Sequence, residues 1–167
     1  MTRAVGGLKT KQTWGGYTLV ELVAVLAILA ILTLMVMPLA QTGWRAKNEA
    51  DLRVALWQIR DAIDMYSAAK KSAQPNVLDN AAFYPKDLTE LTKGVLYAPP
   101  GGAATTIYPL RRIPRDPFAD PALSPEKTWR LRSYTSPANN PQAGGEVFDV
   151  RSSSSETALD GSRYEDW

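Results

Sequence analysis

The chain has 167 residues, of which 45% are hydrophobic and 22% are charged, and it contains no cysteine and no histidine. The absence of cysteine excludes disulfides, thiolate nucleophiles and Cys-based metal sites, and the absence of histidine excludes a Ser-His-Asp triad and an imidazole base. The 19 basic and 17 acidic residues leave a net charge of +2, which is too balanced to indicate a nucleic-acid surface.

A long apolar run follows a short basic leader. Residues 22–40 (LVAVLAILAILTLMVMPLA) form a 19-residue stretch in which Thr33 is the only polar side chain. A helix of that length spans ~28 Å, close to the ~30 Å of a bilayer core. The run therefore predicts a membrane-spanning helix, with aromatic residues suited to the two interfaces. The basic residues of the leader are Arg3, Lys9 and Lys11, and the interfacial aromatic residues are Trp14, Tyr17 and Trp44.

Two alternatives compete with an uncut membrane span. A removable secretory signal has an apolar core of ~7–15 residues and needs small residues at the first and third positions before the cut. Cleavage after Ala40 would place Pro38 at the third position, which is unfavourable. The other alternative, a helix buried in a soluble core, would need a core large enough to enclose a helix that is apolar on every side. The uncut span is favoured.

The residues around Glu21 carry a resemblance to a known family. On position alone, this carboxylate at the edge of the apolar run is either an interfacial residue that reaches headgroup water or the partner of another charge. Residues 15–21 (GGYTLVE), after a basic leader and before the run, resemble the type IV pilin signature. The resemblance implies that a prepilin peptidase cuts after Gly16 and methylates the new amino terminus on Tyr17, where the family usually has Phe.

The same resemblance implies a mode of assembly. Protomers of the family pack their apolar helices together, here from Leu22 onward, into a filament. Glu21, the fifth residue of the mature chain, would then pair with the α-ammonium on Tyr17 of a neighbouring copy. Pro38 predicts a kink or local melting of the helix, since proline removes a backbone donor and clashes with the preceding turn. The alternative for Pro38 is a simple helix end at the membrane surface.

Beyond Trp44 the apolar pattern becomes periodic. Apolar residues at spacings of 4, 3, 4 and 3 predict an amphipathic helix that packs on a globular head and extends the first helix to about Ser72. Glu49 and Arg53 are four residues apart in the order that favours an ion pair on a helix. The stripe consists of Leu52, Leu56, Ile59, Ile63 and Tyr66.

The rest of the chain predicts a small mixed head. A short second helix is expected over residues 84–94 and a loop over residues 98–104. Two half-buried strands are expected over residues 128–135 and 146–151, joined by a segment rich in turn formers. Trp167 is expected to pack against this head. The basic residues of the Pro-rich loop are expected to be solvated and internally paired, with phosphate binding as the alternative: Arg111, Arg112 and Arg115.

The head resembles that of the major pseudopilin of the type II secretion system. That family usually has Trp-Gly after its Asp-Pro, and Phe118-Ala119 stand there in this chain. The motifs that carry the resemblance are residues 84–91 (YPKDLTEL), residues 113–118 (IPRDPF), Tyr134, and residues 148–150 (FDV) before Ser152. The family's calcium loop is matched only in part. Asp160-Gly161 is present but the usual glycine pair is absent, so Asp160 and Asp166 remain calcium candidates beside the alternative of a solvated acidic tail.

We therefore expect an α+β, pilin-like fold. A long N-terminal α-helix, membrane-spanning in its first half and amphipathic in its second, would pack on a small head with a short helix and an antiparallel sheet. The domains would be a cleaved leader (1–16), a transmembrane and filament-core helix (17–44) and a periplasmic head (45–167).

The resemblance implies a non-enzymatic structural subunit of a pseudopilus, a periplasmic filament that helps to drive protein export. The protein would cross the bacterial inner membrane once, with its N-terminus cytoplasmic. Its partners would be further copies of itself, a prepilin peptidase, the assembly platform with its ATPase, and minor pseudopilins. No nucleic acid and no cofactor other than the candidate calcium ion are expected. The alternatives are a type IV pilin, a minor pseudopilin or a membrane-anchored periplasmic protein.

Overall fold

The computed structural model describes residues 15–167, apart from the side chains at positions 35 and 37–40. Most of the predicted leader, including Arg3, Lys9 and Lys11, lies outside these residues. The chain divides into two compact units, Met1–Thr42 and Gly43–Trp167. The α+β class is confirmed. The elements in order are α1 (Leu19–Ala73), α2 (Glu90–Lys93), β1 (Val95–Tyr97), β2 (Thr105–Ile107), β3 (Trp129–Arg132) and β4 (Asp149–Ser152).

Helix α1 matches the prediction of a helix from about Tyr17 to about Ser72. It is helical throughout Leu19–Ala73, including position 38, so the backbone does not melt at Pro38. The helix ends immediately before Gln74 and Pro75, because proline has no N–H to continue the ladder. Among the residues that the structure describes, no helix combines the length and the apolarity that a membrane crossing requires.

The amphipathic stripe of α1 forms one wall of the core, as the spacing predicted. All five side chains of the stripe are at most 5% exposed, because their 3–4 residue period places them on one side of the helix. They pack against the turn before α2, against α2 itself and against β3, β4 and the last residues of the chain. The buried residues that they meet include Leu88, Leu91, Trp129, Val150 and Tyr164.

The second helix is shorter than predicted. Residues 80–83 form a 3₁₀ turn, and α2 covers only Glu90–Lys93. The Asp87 carboxylate accepts hydrogen bonds from the main-chain N–H groups of Thr89 (2.8 Å) and Glu90 (3.2 Å), so it holds a turn up to the point where the helix begins. Gly94 ends the helix as predicted, at φ 91° and ψ 153°, a backbone conformation that essentially only glycine adopts.

The strands form two separate antiparallel pairs where the sequence predicted a single sheet. Strand β3 lies within the first predicted segment, and β4 extends one residue beyond the second, to Ser152. The two strands pair in a register that places Leu131 opposite Val150. Strands β1 and β2 were not predicted. They flank the predicted loop at residues 98–104 and make it the connection of a hairpin. The segment between β2 and β3 is rich in proline, which has no N–H to donate to a strand ladder.

Candidate functional site

The segment that carries the predicted cleavage site is open to solvent. Gly15 and Gly16 have no regular secondary structure, and a Cβ placed on either would meet nothing within 4 Å. Tyr17 follows with 83% of its surface exposed. The residues on both sides of the Gly16–Tyr17 peptide bond are therefore exposed and lie outside regular secondary structure.

The first turn of α1 is capped by the residues of the predicted signature. The Thr18 hydroxyl accepts a hydrogen bond from the Glu21 N–H (3.2 Å), and the Leu22 N–H donates to the Thr18 carbonyl (3.1 Å). This is the Ser/Thr-x-x-Glu pattern of a helix start, which places Glu21 where the helix dipole favours an anion. This local role was not predicted, although the Thr18–Glu21 spacing signals it. Within residues 15–167, no ion pair is formed by Glu21.

The helix that follows exposes apolar side chains on every side. From Leu22 to Val36 the large apolar residues whose side chains the structure describes are between 48% and 73% exposed. The only polar side chain in this stretch, Thr33, donates its hydroxyl hydrogen to the Leu29 carbonyl (2.7 Å), so its polarity is satisfied within the helix. The result is a continuous apolar surface that begins one turn after the exposed Gly16–Tyr17 bond. Pro38 belongs to the same helix, with its side chain outside the described residues.

In the second unit, α1 holds the last twelve residues of the chain through buried polar contacts. The Glu49 carboxylate is 4% exposed and accepts hydrogen bonds from the Tyr164 hydroxyl (2.9 Å) and the Leu159 N–H (2.8 Å). Arg45 donates to the same hydroxyl (3.2 Å) and to the Thr157 carbonyl (2.6 Å). Burial raises the pKa of Tyr164 above its ordinary value, and the bond from Arg45 opposes that rise. The predicted Glu49–Arg53 ion pair is wrong, because Glu49 turns inward to these partners.

Arg53 is also directed to the end of the chain. Its guanidinium lies 3.5 Å from the Asp160 carboxylate and stacks over the Trp167 ring, 4.2 Å from the centroid. Trp167 itself packs edge-on against Tyr164, and its indole N–H donates to the Ser162 hydroxyl (2.7 Å). The prediction that Trp167 packs on the head is confirmed.

The two calcium candidates have protein partners. Asp160 accepts hydrogen bonds from the Ser162 hydroxyl and main chain, and the hydroxyl bond is the main reason why the pKa of Asp160 lies below its ordinary value. Asp166 lies 3.7 Å from Arg163. In the part of the chain that the structure describes, no group of three or more acidic side chains is placed to hold a metal ion.

A buried carboxylate, Asp116, joins the Pro-rich loop to β4. Asp116 is fully buried and accepts hydrogen bonds from the Phe118 N–H (2.8 Å), the Ser152 hydroxyl (2.6 Å) and the Ser153 N–H (3.2 Å). Near it, Arg115 donates to the carbonyls of Leu123 and Asp120. Part of the predicted internal pairing of this loop therefore exists, with main-chain oxygens as the acceptors.

No family model, no curated protein and no solved structure matches this chain. A functional assignment therefore depends on the signature at residues 15–21 and on the geometry described above.

Proposed function

We propose that this chain is the precursor of a pilin-like filament subunit, the major pseudopilin of a type II secretion system. A prepilin peptidase removes residues 1–16 and methylates the amino group of Tyr17. The mature chain crosses the inner membrane once, with its head in the periplasm, and then leaves the membrane as α1 packs against neighbouring copies. The growing pseudopilus helps to drive substrate proteins out of the periplasm.

One observation carries this proposal: the apolar surface of α1 begins one turn after an exposed Gly-Gly-Tyr segment. The described large apolar side chains from Leu22 to Val36 are about half exposed or more. Their exposure to water would be unfavourable, since burying one such side chain contributes ~1.5–3 kcal/mol of stabilisation. A bilayer removes this surface from water before assembly, and neighbouring helices do so afterwards. A surface that is apolar on every side suits both environments.

Glu21 supports the same proposal through its charge. The carboxylate lies beside the apolar surface without an ion-pair partner among residues 15–167, and in a packed helical bundle an unpaired carboxylate is strongly unfavourable. Cleavage after Gly16 creates an α-ammonium on Tyr17. That cation on a neighbouring copy neutralises Glu21 and fixes the axial position at which a new subunit joins.

The energy for extrusion comes from a partner. The sequence contains no phosphate-binding Gly-x-x-x-x-Gly-Lys loop, so a cytoplasmic ATPase acting through an assembly platform is required. In this scheme the chain contributes an accessible cleavage site, a packing helix and a head. Minor pseudopilins are the expected partners of the head at the filament tip.

Processing is tested by incubating the full chain in membranes with a prepilin peptidase and measuring its mass. The expected product lacks residues 1–16 and carries one added methyl group. Gly16→Leu should block cleavage because Gly16 is the residue before the cut, whereas Gly15→Ala should not. Neither substitution strains the fold, since a Cβ at either position meets nothing within 4 Å. Cleavage at another bond, or no cleavage of the unsubstituted chain, contradicts the proposal.

Assembly is tested by disulfide cross-linking, which is unambiguous because the chain has no native cysteine. Pairs of cysteines placed between Leu22 and Val36, on opposite sides of the helix, should give a ladder of cross-linked species, because each chain can then form disulfides with two neighbours. Glu21→Ala should abolish the ladder, whereas Asp51→Ala, at an exposed acidic position elsewhere on α1, should leave it intact. A strictly monomeric product would support a membrane-anchored protein instead. Export of a secreted protein then separates a pseudopilin from a type IV pilin.

A further inference from the structure

A cluster of arginines lines a cavity on the head. The cavity has a volume of about 310 Å³ and lies between β3, β4, the connection that joins them and the last turn of the chain. Its charged lining consists of Arg130, Arg132, Arg151, Arg163, Glu165 and Asp166. A cavity of this size is at the small end of those that bind small molecules.

Two of these arginines lie directly opposite each other in the sheet. The register of β3 and β4 pairs Arg130 with Arg151. Opposed residues of an antiparallel pair have Cβ atoms ~4.5–5.5 Å apart, and like charges in that position destabilise the pairing. Neither strand needs arginine there for packing, since the neighbouring pair of Leu131 and Val150 supplies the apolar contact. The local unfavourable arrangement indicates a role beyond folding.

The cavity retains excess positive charge after its ion pairs are considered. Arg132 is neutralised by Asp149 (3.1 Å), which lies outside the cavity lining and also pairs with Arg60. Glu165 pairs with both Arg130 (2.9 Å) and Arg163. With Arg132 neutralised, the three other arginines and the two carboxylates of the lining leave one positive charge in excess.

Arg151 is the cation that these pairs leave over. Among the described residues it has no carboxylate partner, and its guanidinium donates instead to the Ala138 carbonyl (2.8 Å). That acceptor carries no charge, so four further N–H donors and the full positive charge of Arg151 remain for a ligand. Asn139, next to Ala138, lines the same cavity and offers an amide donor.

We propose that this cavity binds a phosphate group, either free inorganic phosphate or a phosphate monoester. Guanidinium groups bind phosphate oxygens in bidentate pairs, and a tetrahedral anion presents oxygens to arginines from several directions at once. Here the donors come from β3, β4 and the last turn, so they approach from different sides. A phosphate anion would also neutralise this excess charge and reduce the repulsion between Arg130 and Arg151.

The test is calorimetric titration of the full chain in detergent with inorganic phosphate, at constant ionic strength set with chloride. Saturable binding with Kd on the order of 1 mM is expected. Arg151→Gln should bind about tenfold more weakly, because one charge-assisted contact is lost. Arg163→Gln, at a side chain 58% exposed, should also weaken binding and does not disturb a strand. Arg111→Gln removes an exposed arginine outside the cavity and should leave Kd within about twofold of the unsubstituted value.

Two results would overturn the proposal. One is the absence of saturation at concentrations about tenfold above the expected Kd. The other is equal weakening by Arg111→Gln and Arg151→Gln, which would indicate a general charge effect. Melting in phosphate-free buffer gives an independent readout: Arg151→Gln should melt at least as high as the unsubstituted chain, because the repulsion across the strands is relieved. A clear drop in Tm would mean that Arg151 is only structural.

Further titrants identify the source of the phosphate group. Acetate should bind much more weakly than phosphate, and equal binding of the two would contradict a site for a tetrahedral anion. Glycerol 3-phosphate represents a phosphate monoester with lipid-headgroup chemistry. Tighter binding of glycerol 3-phosphate supports a headgroup or sugar-phosphate ligand, and tighter binding of inorganic phosphate supports the free ion. The proposal is independent of filament assembly, so failure of one leaves the other standing.

Discussion

Removal of one hydroxyl group, by Tyr164→Phe, should measurably weaken the attachment of the last segment to α1. The Tyr164 ring is fully buried, and its hydroxyl donates to Glu49 at 2.9 Å. Phenylalanine keeps the ring packing but leaves the buried carboxylate with only the Leu159 N–H as a donor. Hydrogen bonds to charged groups contribute ~1.5–3 kcal/mol, which corresponds to a fall in Tm of about 6–12 °C for a unit of this size.

The assay is thermal unfolding of the full chain in detergent, followed by near-ultraviolet circular dichroism. Tyr108→Phe is the matched control, because Tyr108 is 64% exposed and its hydroxyl has no hydrogen-bond partner among the described residues. The control should change Tm by less than about 2 °C. If Tyr164→Phe lowers Tm no more than this control does, the buried Glu49–Tyr164 bond is not a stabilising contact and the reasoning is wrong.

Three further predictions concern the core, the backbone and pH. Leu91→Ala, at a fully buried position, should reduce the free energy of unfolding by ~2–5 kcal/mol, whereas Leu78→Ala, at a position 97% exposed, should change it by less than ~0.5 kcal/mol in denaturant titrations. Gly94→Ala should destabilise by ~1–3 kcal/mol because φ is 91° and the new Cβ would lie within 3 Å of two side chains, whereas Gly145→Ala, in open space, should be neutral. Burial, reinforced by the hydrogen bond to Glu90, raises the pKa of Tyr66 above its ordinary value. The stability that the protonated Tyr66 contributes is complete below about pH 10 and is lost as pH rises toward its pKa in the folded state. Tyr66→Phe should therefore flatten the fall in Tm at alkaline pH, and an unchanged fall would contradict this.

The helical parts of the fold could be predicted because their signals are local and repeated. The stripe from Leu52 to Tyr66 repeats every three to four residues over four turns, and all five of its members are buried. Proline at position 75 marks the end of α1 to within a residue or two. The start of α2 was predicted too early. Asp87 accepts a hydrogen bond from the Thr89 N–H in a turn before the helix, and in the sequence such a side-chain acceptor resembles the start of a helix.

The strands and the polar contacts depend on partners that are distant in sequence. Strands β1 and β2 have three residues each, and most of their side chains are exposed, so no alternation marks them. From the sequence, Glu49 resembled a solvated residue that pairs with Arg53. Its burial depends on contacts with the end of the chain, such as the bond from Tyr164, which lies 115 residues away. The alternation of β3 predicted that Trp129 is buried and that Arg130 is exposed, but not that Arg132 is held by Asp149. The opposition of Arg130 and Arg151 depends on the register between β3 and β4, which neither strand encodes alone.

The attachment of the last twelve residues to α1 has a consequence for the order in which the head folds. Glu49 and Arg45 emerge from the ribosome more than a hundred residues before the groups that satisfy them. Until residues 156–167 arrive, the stripe of α1 lacks part of its cover and Glu49 lacks both of its donors. Long loops must therefore close late, which slows folding and keeps the apolar face of α1 exposed for most of synthesis. We expect the head to become protease-resistant only when the chain is almost complete, in a single late step.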